Sequence, residues 1–482
     1  MTYLEFERYI EKEGPLELHL VRKDVLADLE TPLSYYLKVR SQFDEGPSFL
    51  FESAERKEVS GRYSIIGFEP YLVFKAAGHK VKLSGMIEDE IHVENPFDVL
   101  KRIVSGLKVV GSYERISAPG AFGYVSYDSV RFFEKIPDIK VRKIGCYDMY
   151  FLFPSRMVIF DNYTGRLSLV TASPERAESE DAIRELRVLL RLPIPSFKRR
   201  AWIVEKMEQS VSKERFEDMV RIAKEYITNG DAIQVVLSQR FVAAIDAEST
   251  EIYRALRLIN PSPYMFLIDF PEYSLIGSSP ETMVKMKEGV ICLRPIAGTR
   301  KRGSSKEEDD RLEKDLLTDQ KELAEHVMLV DLARNDVGRV AKIGSVNVEQ
   351  FMQIEKYSHV MHIVSSVKGI VKDGLDAFDV FASCFPAGTV TGAPKIRAME
   401  IIEELEEEKR EFYAGATGYF LLNGDMDFCI TIRSLLKQGN TLYIQAGAGI
   451  VADSVPENEY HETINKAKAI MVTLEGLREI LP

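Results

Sequence analysis

The sequence predicts a mixed α and β protein in two parts, and two observations carry that expectation. Residues 48 to 172 are dominated by short runs of β-branched and aromatic residues, whereas residues 210 to 480 alternate such runs with amphipathic helices. Between them "PIPSFKRRAW" is proline-bearing and basic and reads as a linker. The boundary therefore falls near residues 192 to 210, giving a first part of 1–195 and a second of 210–482.

In chain order, "SFLF", "RYSIIGF", "YLVFKA" and "KVKLSG" read as strands, and "YFLFPSRMVIFDNYTGRLSLVTA" as a hairpin turning at Asn162 to Gly165. "SPERAESEDAIRELRVLLRL" has helical spacing, with Ser173 or Glu178 near its start. Past the linker come a helix at "SKERFEDMVRIAKEYITNG", ended by Gly230, a strand at "AIQVVLSQRFVAAI" and further strands through 264 to 295. Long helices are expected over 306 to 336 and 394 to 408, strands in "DFCITIRSLLKQGNTLYIQAGAGIV", and a closing helix from Glu457 to Ile480. No repeat of solenoid period occurs, and the acidic "EELEEEKRE" reads as solvated helix surface.

Composition narrows the function. With 482 residues and 45% hydrophobic content a sizeable core is expected, and 63 basic against 75 acidic residues, net −12, argue against a dedicated nucleic-acid or anionic-membrane binder. The four cysteines (Cys146, Cys292, Cys384, Cys429) show no CxxC spacing and read as reduced thiols, with no zinc knuckle. The N-terminus lacks an apolar signal region, and no window approaches the roughly 18 apolar residues of a membrane span. A cytoplasmic protein is the expectation.

Several segments carry chemistry. "DLLTDQKELAEHVMLVDLARNDVGRV" reads as a helix packed through Leu323, Val327, Val330 and Leu332, with Glu322 and Glu325 on one face, and "PENEYHETINKAKA" repeats the E-x-x-E device with Glu459 and Glu462. Four converging carboxylates would need a hard cation such as magnesium between them, although each pair alone also matches a solvated helix edge. His326 and His461 are displaced from the E-x-x-H spacing of a di-iron bundle. "CFPAGTVTGAPKIRAMEIIEELE" opens glycines and threonines into a helix, exposing backbone N–H groups to an anion, yet lacks the ending of a Walker loop. Gly447 and Gly449 in "YIQAGAGIV" let a ligand approach the backbone, Arg433 in an apolar run calls for an anionic partner, and His359 and His362 lie in "SHVMHIVSS". The basic stretch "RPIAGTRKRG" reads as a loop whose Arg294, Arg300, Lys301 and Arg302 surround Ala297.

Taken in order, "NPSPYMF", "GSSPE", "RPIAGTR", "DLARND", "KYSHVMH", "FPAGTVTGAPK", "YAGATGY" and "AGAGIVADSVPENEYHET" resemble the chorismate-utilising enzymes, most closely the large, aminating subunits of anthranilate synthases. The likeness is dense over 210 to 474 and thinner before it, where "FLFESAE" is similar to the family's L-L-E-S element. It implies an α/β two-subdomain sandwich of packed sheets flanked by helices, with a regulatory first part and a chorismate-binding second part. It implies a lyase of tryptophan biosynthesis that converts chorismate and ammonia to anthranilate and pyruvate; related enzymes making 4-amino-4-deoxychorismate or isochorismate are the alternative, and a silent ligand-binding subunit is a further one.

The resemblance further implies Mg2+ held by Glu325 and Glu462 with Glu322 and Glu459 beside them, clamping the ring carboxylate. Tyr413 and Arg433 would meet the enolpyruvyl carboxylate, with Gly447, Ala448 and Gly449 lining the pocket through their backbone. His362 would lie near the C4 hydroxyl, Glu281 would protonate it as it leaves, and Thr389 and Lys466 would make further contacts. Relatives that attack C2 with a lysine carry it at the position of Ala297, and those that add water carry a lysine base at Gln234, so ammonia remains as the nucleophile. No G-x-C-x-G glutaminase motif is present, which implies a separate glutamine amidotransferase subunit. Tryptophan would bind as feedback inhibitor through Glu52, Ser53, Pro263, Tyr264 and Met265. Glu411 stands where the family commonly has glycine, two residues from Tyr413.

Overall fold

The structure is a computed structural model that describes residues 1–26, 28–43, 46–53, 61–195, 207–356 and 360–480, apart from a few side chains near the end of the last helix. Most of the expected linker, and His359, lie outside the described residues.

Two long strands organise the molecule. Tyr63–Ala77 and Met149–Asp161 pair antiparallel along their length, except where Pro70 stands opposite Pro154 and the register shifts. Neither proline donates an N–H, so the ladder breaks there and each strand bends out of one sheet into another. One sheet continues from the first halves of this pairing through Ser48–Glu52, Tyr264–Asp269, Ser274–Ser279, Ser434–Gln438 and Thr441–Ile450 to Gln234–Ala244. The other continues through Gly120–Val125, Ala416–Leu421, Met426–Ile430, Thr282–Lys287 and Val290–Leu293 to Val360–Ile370, which Ile296–Lys301 and Asn347–Lys356 flank. Strands from before and after the linker therefore share both sheets and meet once in each, where Ser48–Glu52 pairs with Tyr264–Asp269 and Gly120–Val125 with Ala416–Leu421.

The first sheet is buried on both faces, and residue-by-residue alternation shows it. Phe49, Ile65, Phe266 and Leu275 join the core shared with the second sheet, while their neighbours Leu50, Ile66, Leu267 and Ile276 join a core made with outer helices. Those helices include Lys213–Thr228, Ser249–Ile259, Lys395–Leu405 and Pro456–Ile480. The hairpin turn between Asp161 and Arg166, the end of Lys213–Thr228 before Gly230 and the strand Gln234–Ala244 agree with expectation.

Elsewhere the structure departs from it. The stretch expected as one helix over 306 to 336 is two, Lys306–Thr318 and Gln320–Val340, because the Asp319 side chain caps the second through the N–H groups of Lys321 and Glu322. In that second helix Val327 is exposed, and the packed face runs through His326, Leu329, Val330, Ala333 and Val337. No helix among the described residues is long and apolar enough to cross a membrane.

Candidate active site

The last strands of the two sheets approach one another at one end of the sandwich. Between them lies a cavity of about 420 Å³, walled by Gln234–Ala244 and Thr441–Ile450 on one side and by Ile296–Lys301 and Val360–Ile370 on the other. Helices Gln320–Val340 and Pro456–Ile480 each add one carboxylate. Of the residues singled out in the sequence, Gln234, Glu281, Ala297, Glu325, His362, Thr389, Tyr413, Arg433, Gly447, Gly449, Glu462 and Lys466 all line it. They come from segments up to 232 positions apart (234 to 466), so tertiary pairing alone gathers them.

Three expected residues are placed differently. Ala448 is 1% exposed and packs in the helix-side core, since alternation along its strand turns it away from the cavity that Gly447 and Gly449 face. Glu322 and Glu459 do not reach the cavity wall.

Burial pushes the Glu281 carboxyl up to about 7, against the opposing pull of the Thr389 hydroxyl and the Arg433 charge. Thr389 Oγ1 is buried, lies beside that carboxylate and makes no well-aligned hydrogen bond. Arg433 sits at φ 48 in the crossing between Met426–Ile430 and Ser434–Gln438. Its side chain thus leaves the buried run and enters the cavity, where enclosure lowers its basicity and Glu281 raises it. His362 approaches the Gly298 carbonyl through Nδ1 at 3.0 Å and the Thr299 hydroxyl at 3.1 Å. A carbonyl only accepts, so Nδ1 carries the proton and Nε2 is the basic nitrogen of the neutral ring, whose pKa burial lowers. Thr299, which also lines the cavity, was not singled out from sequence, although it sits inside "RPIAGTR".

The carboxylate cluster is only partly assembled. Glu325 is raised by burial first and by Glu322 next, with Glu462 adding to it; Glu459 is raised by burial and by Glu462, against the Ser454 hydroxyl. Lys466 holds Glu462 at 2.7 Å and Arg300 holds Glu322 at 3.2 Å. Among the described residues no three His, Cys, Asp or Glu side chains are gathered closely enough to hold a metal ion. The donor set still fits a hard divalent cation, because all four are oxygen ligands whose mutual repulsion such an ion would relieve.

"RPIAGTRKRG" is a strand, not an anion-binding loop. Ile296–Lys301 pairs with Val360–Ile370, with a bulge between Ala297 and Thr299. Gly298 makes the bulge possible at φ 71, and a Cβ there would press on Leu316 at 3.0 Å. The cations turn to neighbouring acids: Arg294 to Glu355, Arg300 to Asp315, Asp319 and Glu322, Arg302 to Asp309. Ala297, 8% exposed, is left as the cavity wall.

The turn Gly388–Val390 brings Thr389 to the cavity, but the following Gly392–Ala393 pairs with Gln234 and Val235, so part of the expected anion-binding backbone is committed to the sheet. Glu411 does not crowd Tyr413. Its buried carboxylate, at φ 53, accepts from the N–H groups of Lys143, Ile144, Gly145 and Cys146 at 2.7 to 3.1 Å.

A second cavity, about 370 Å³, lies between the two sheets and is lined by Glu52, Ser53, Pro263, Tyr264 and Met265 together. Pro263 lines both cavities. Glu52 accepts from the Tyr253 hydroxyl at 2.6 Å and pairs with Arg257 at 3.1 Å, while Asp427 accepts from Tyr264 at 2.8 Å and pairs with Lys285 at 2.7 Å.

A family model described as chorismate binding enzyme matches residues 46–472. Anthranilate synthase component 1 of Aquifex aeolicus is 48% identical over 474 residues, covering 95% of this chain and 94% of that protein. The Thermus thermophilus protein of the same name is 42% identical over 94% of this chain and 97% of its own length. Among solved structures, anthranilate synthase component I from Streptococcus pneumoniae superposes with a TM-score of 0.79 at 37% identity, covering 92% of this chain and 98% of that one. The menaquinone-specific isochorismate synthase of Escherichia coli shares the fold, with a TM-score of 0.73 at 19% identity over 98% of this chain and 99% of that one. With the match spanning most of its length and both cavities, this chain belongs to the chorismate binding enzyme family.

Proposed function

We propose that this chain is the chorismate-aminating subunit of an anthranilate synthase, converting chorismate and ammonia to anthranilate and pyruvate for tryptophan biosynthesis. One observation carries the reading. A single cavity holds a carboxyl titrating near neutrality, Glu281, and a guanidinium, Arg433, while the two places that carry lysine in water-adding or self-aminating relatives hold Gln234 and Ala297.

Arg433 and the Tyr413 hydroxyl hold the enolpyruvyl carboxylate, and Gly447 and Gly449 leave room for it; a Cβ on Gly447 would lie 2.8 Å from Tyr413 Oη. Glu281, kept partly neutral by burial, donates its proton to the C4 hydroxyl, which leaves as water while ammonia forms a bond at C2. The added nitrogen gives up one proton, which restores the neutral Glu281; the C3–O bond then breaks as the ring loses its C2 proton, the enol leaving group takes up a proton to become pyruvate, and aromatic anthranilate remains. His362 stands beside this wall with its Nδ1 proton fixed by Gly298. Glu325 and Glu462, with Glu322 and Glu459 behind them, would hold a magnesium ion whose charge binds and orients the ring carboxylate. A separate glutaminase subunit supplies ammonia, and tryptophan occupies the second cavity, whose paired acids and bases suit an amino-acid zwitterion.

Purified chain with chorismate, magnesium and ammonium salt should develop the blue fluorescence of anthranilate, and a chelator should suppress it. Accumulation of isochorismate or 4-amino-4-deoxychorismate instead would overturn the reading.

A further inference from the structure

Behind the cavity wall lies a charge pair that the proposed chemistry does not use. Arg410 is 1% exposed and Glu406 is 4% exposed. The guanidinium donates to Glu406 from Nε at 2.9 Å and from Nη2 at 2.6 Å, to the Val390 carbonyl from Nη1 at 2.7 Å and to the Val236 carbonyl from Nη2 at 2.6 Å. It also lies 4.7 Å from the ring centre of Tyr127 and 5.8 Å from that of Tyr413. Glu406 in turn accepts from the Ser238 N–H and hydroxyl, both at 2.8 Å, and Gln445 Nε2 donates to the same hydroxyl at 2.9 Å.

Val236, Val390, Tyr413 and Gln445 all line the first cavity, and they come from four separate segments. A buried ion pair is a poor source of stability, since desolvating both charges cancels much of their attraction and an apolar replacement is often neutral. What an apolar group cannot do is fix a carboxylate and two carbonyls in one plane, as a planar fork of N–H donors does.

We propose that Arg410, held by Glu406, is a positioning residue that sets the relative placement of the Val236 strand, the Thr389 turn and Tyr413 around the bound substrate. It touches no reacting atom and acts through those neighbours. The proposal rests on reading the cavity as the chorismate site.

The test compares Arg410→Lys, which keeps the charge but not the fork, and Glu406→Gln, which keeps the shape, with Leu169→Ala, a buried change in the hairpin Met149–Asp161/Arg166–Ser173. Melting temperature, calorimetric chorismate affinity and steady-state kinetics are measured for each, and Arg410→Lys is combined with Tyr413→Phe. Both test variants should fold, melt no lower than Leu169→Ala, and lose about 100-fold in kcat/KM, the scale expected when a substrate is misplaced by about 1 Å. The double variant should be little worse than Arg410→Lys alone. Activity within about 3-fold of Leu169→Ala, or losses that multiply with Tyr413→Phe, would sink the proposal. Should Arg410→Lys fail to fold, Glu406→Gln is judged by the same criteria; failure of both assigns the pair to folding and also ends it. A wild-type chain that binds chorismate but makes no anthranilate faults the proposed reaction and not the chorismate site, and unchanged chorismate affinity in Arg410→Lys would then refute the positioning role separately.

Discussion

At the scale of single residues, Glu281 yields a pH prediction. Its folded-state pKa of about 7 lies above the ordinary 4.5, so its contribution to stability is complete below pH 4.5 and is lost as pH rises through 7. Glu281→Gln cannot ionise, so urea melts should show its stability relative to wild type improving between pH 5 and pH 8, by roughly 3 kcal/mol or less. Turnover that depends on the neutral acid should fall above pH 7 in the wild type and drop by at least ~100-fold in the variant at all pH values. Ala297→Lys tests the wall facing C2. Burial, rather than the neighbouring arginines, which are already paired, would leave part of the lysine unprotonated. Tethered beside the electrophile at an effective molarity of ~10⁵ M or more, it should give a covalent adduct with chorismate, seen by intact-mass analysis, and abolish ammonia-dependent synthesis. Normal anthranilate production without added mass would place residue 297 away from C2.

Elements set the next scale. The helices Gln320–Val340 and Pro456–Ile480 meet at one cavity through Glu325 and Glu462. Glu325→Gln or Glu462→Gln should cost at least ~100-fold in turnover, about 2.7 kcal/mol, and weaken magnesium binding measured by calorimetry. Wild-type metal affinity in both variants would remove them from the ion's ligands. The bulge in Ile296–Lys301 makes a separate claim. Gly298→Ala adds a Cβ at φ 71, 3.2 Å from Glu322 Oε2 and 3.3 Å from Ile363, and should destabilise by about 1–2 kcal/mol while displacing His362. An unchanged melting temperature would show that the bulge relaxes freely.

Across the whole molecule, the two cavities share Pro263, and strands from both halves of the chain wall the second one. A ligand there bridges Ser48–Glu52 of the first half and Tyr264–Asp269 of the second, which pair directly in one sheet. Tryptophan should bind this cavity and inhibit by favouring one arrangement of the shared wall. Ser53→Phe, which puts a large ring on the cavity lining, should abolish inhibition while sparing kcat. Calorimetry with no tryptophan heat from the wild-type chain would refute the regulatory reading.

Much of this was written in the sequence, because local signals are local physics. The apolar β-type runs "SFLF" and "YMFLID", the turn at Asn162 to Gly165 and the E-x-x-E spacings act within a few residues and survived folding. The ordered motifs marked the family and, residue by residue, twelve of the groups that line the first cavity, though not Thr299, Val236 or Gln445. Tertiary structure decided what depends on partners distant in the chain. Pairing to Val360–Ile370 turned "RPIAGTRKRG" from a basic loop into a strand whose charges are spent on Asp309, Asp315 and Glu322. The pleat sent Ala448 into the core between two cavity-facing glycines, and Arg433's own positive φ turned it out of its apolar run. Arg410 lies in "EELEEEKRE", expected to be solvated helix surface but carrying buried Glu403, Glu406, Arg410 and Glu411, since nothing nearby in sequence reveals that Val236 and Val390 offer their carbonyls to Arg410. A single side chain's chemistry is legible in one dimension; the company it keeps is fixed only when distant strands share a ladder.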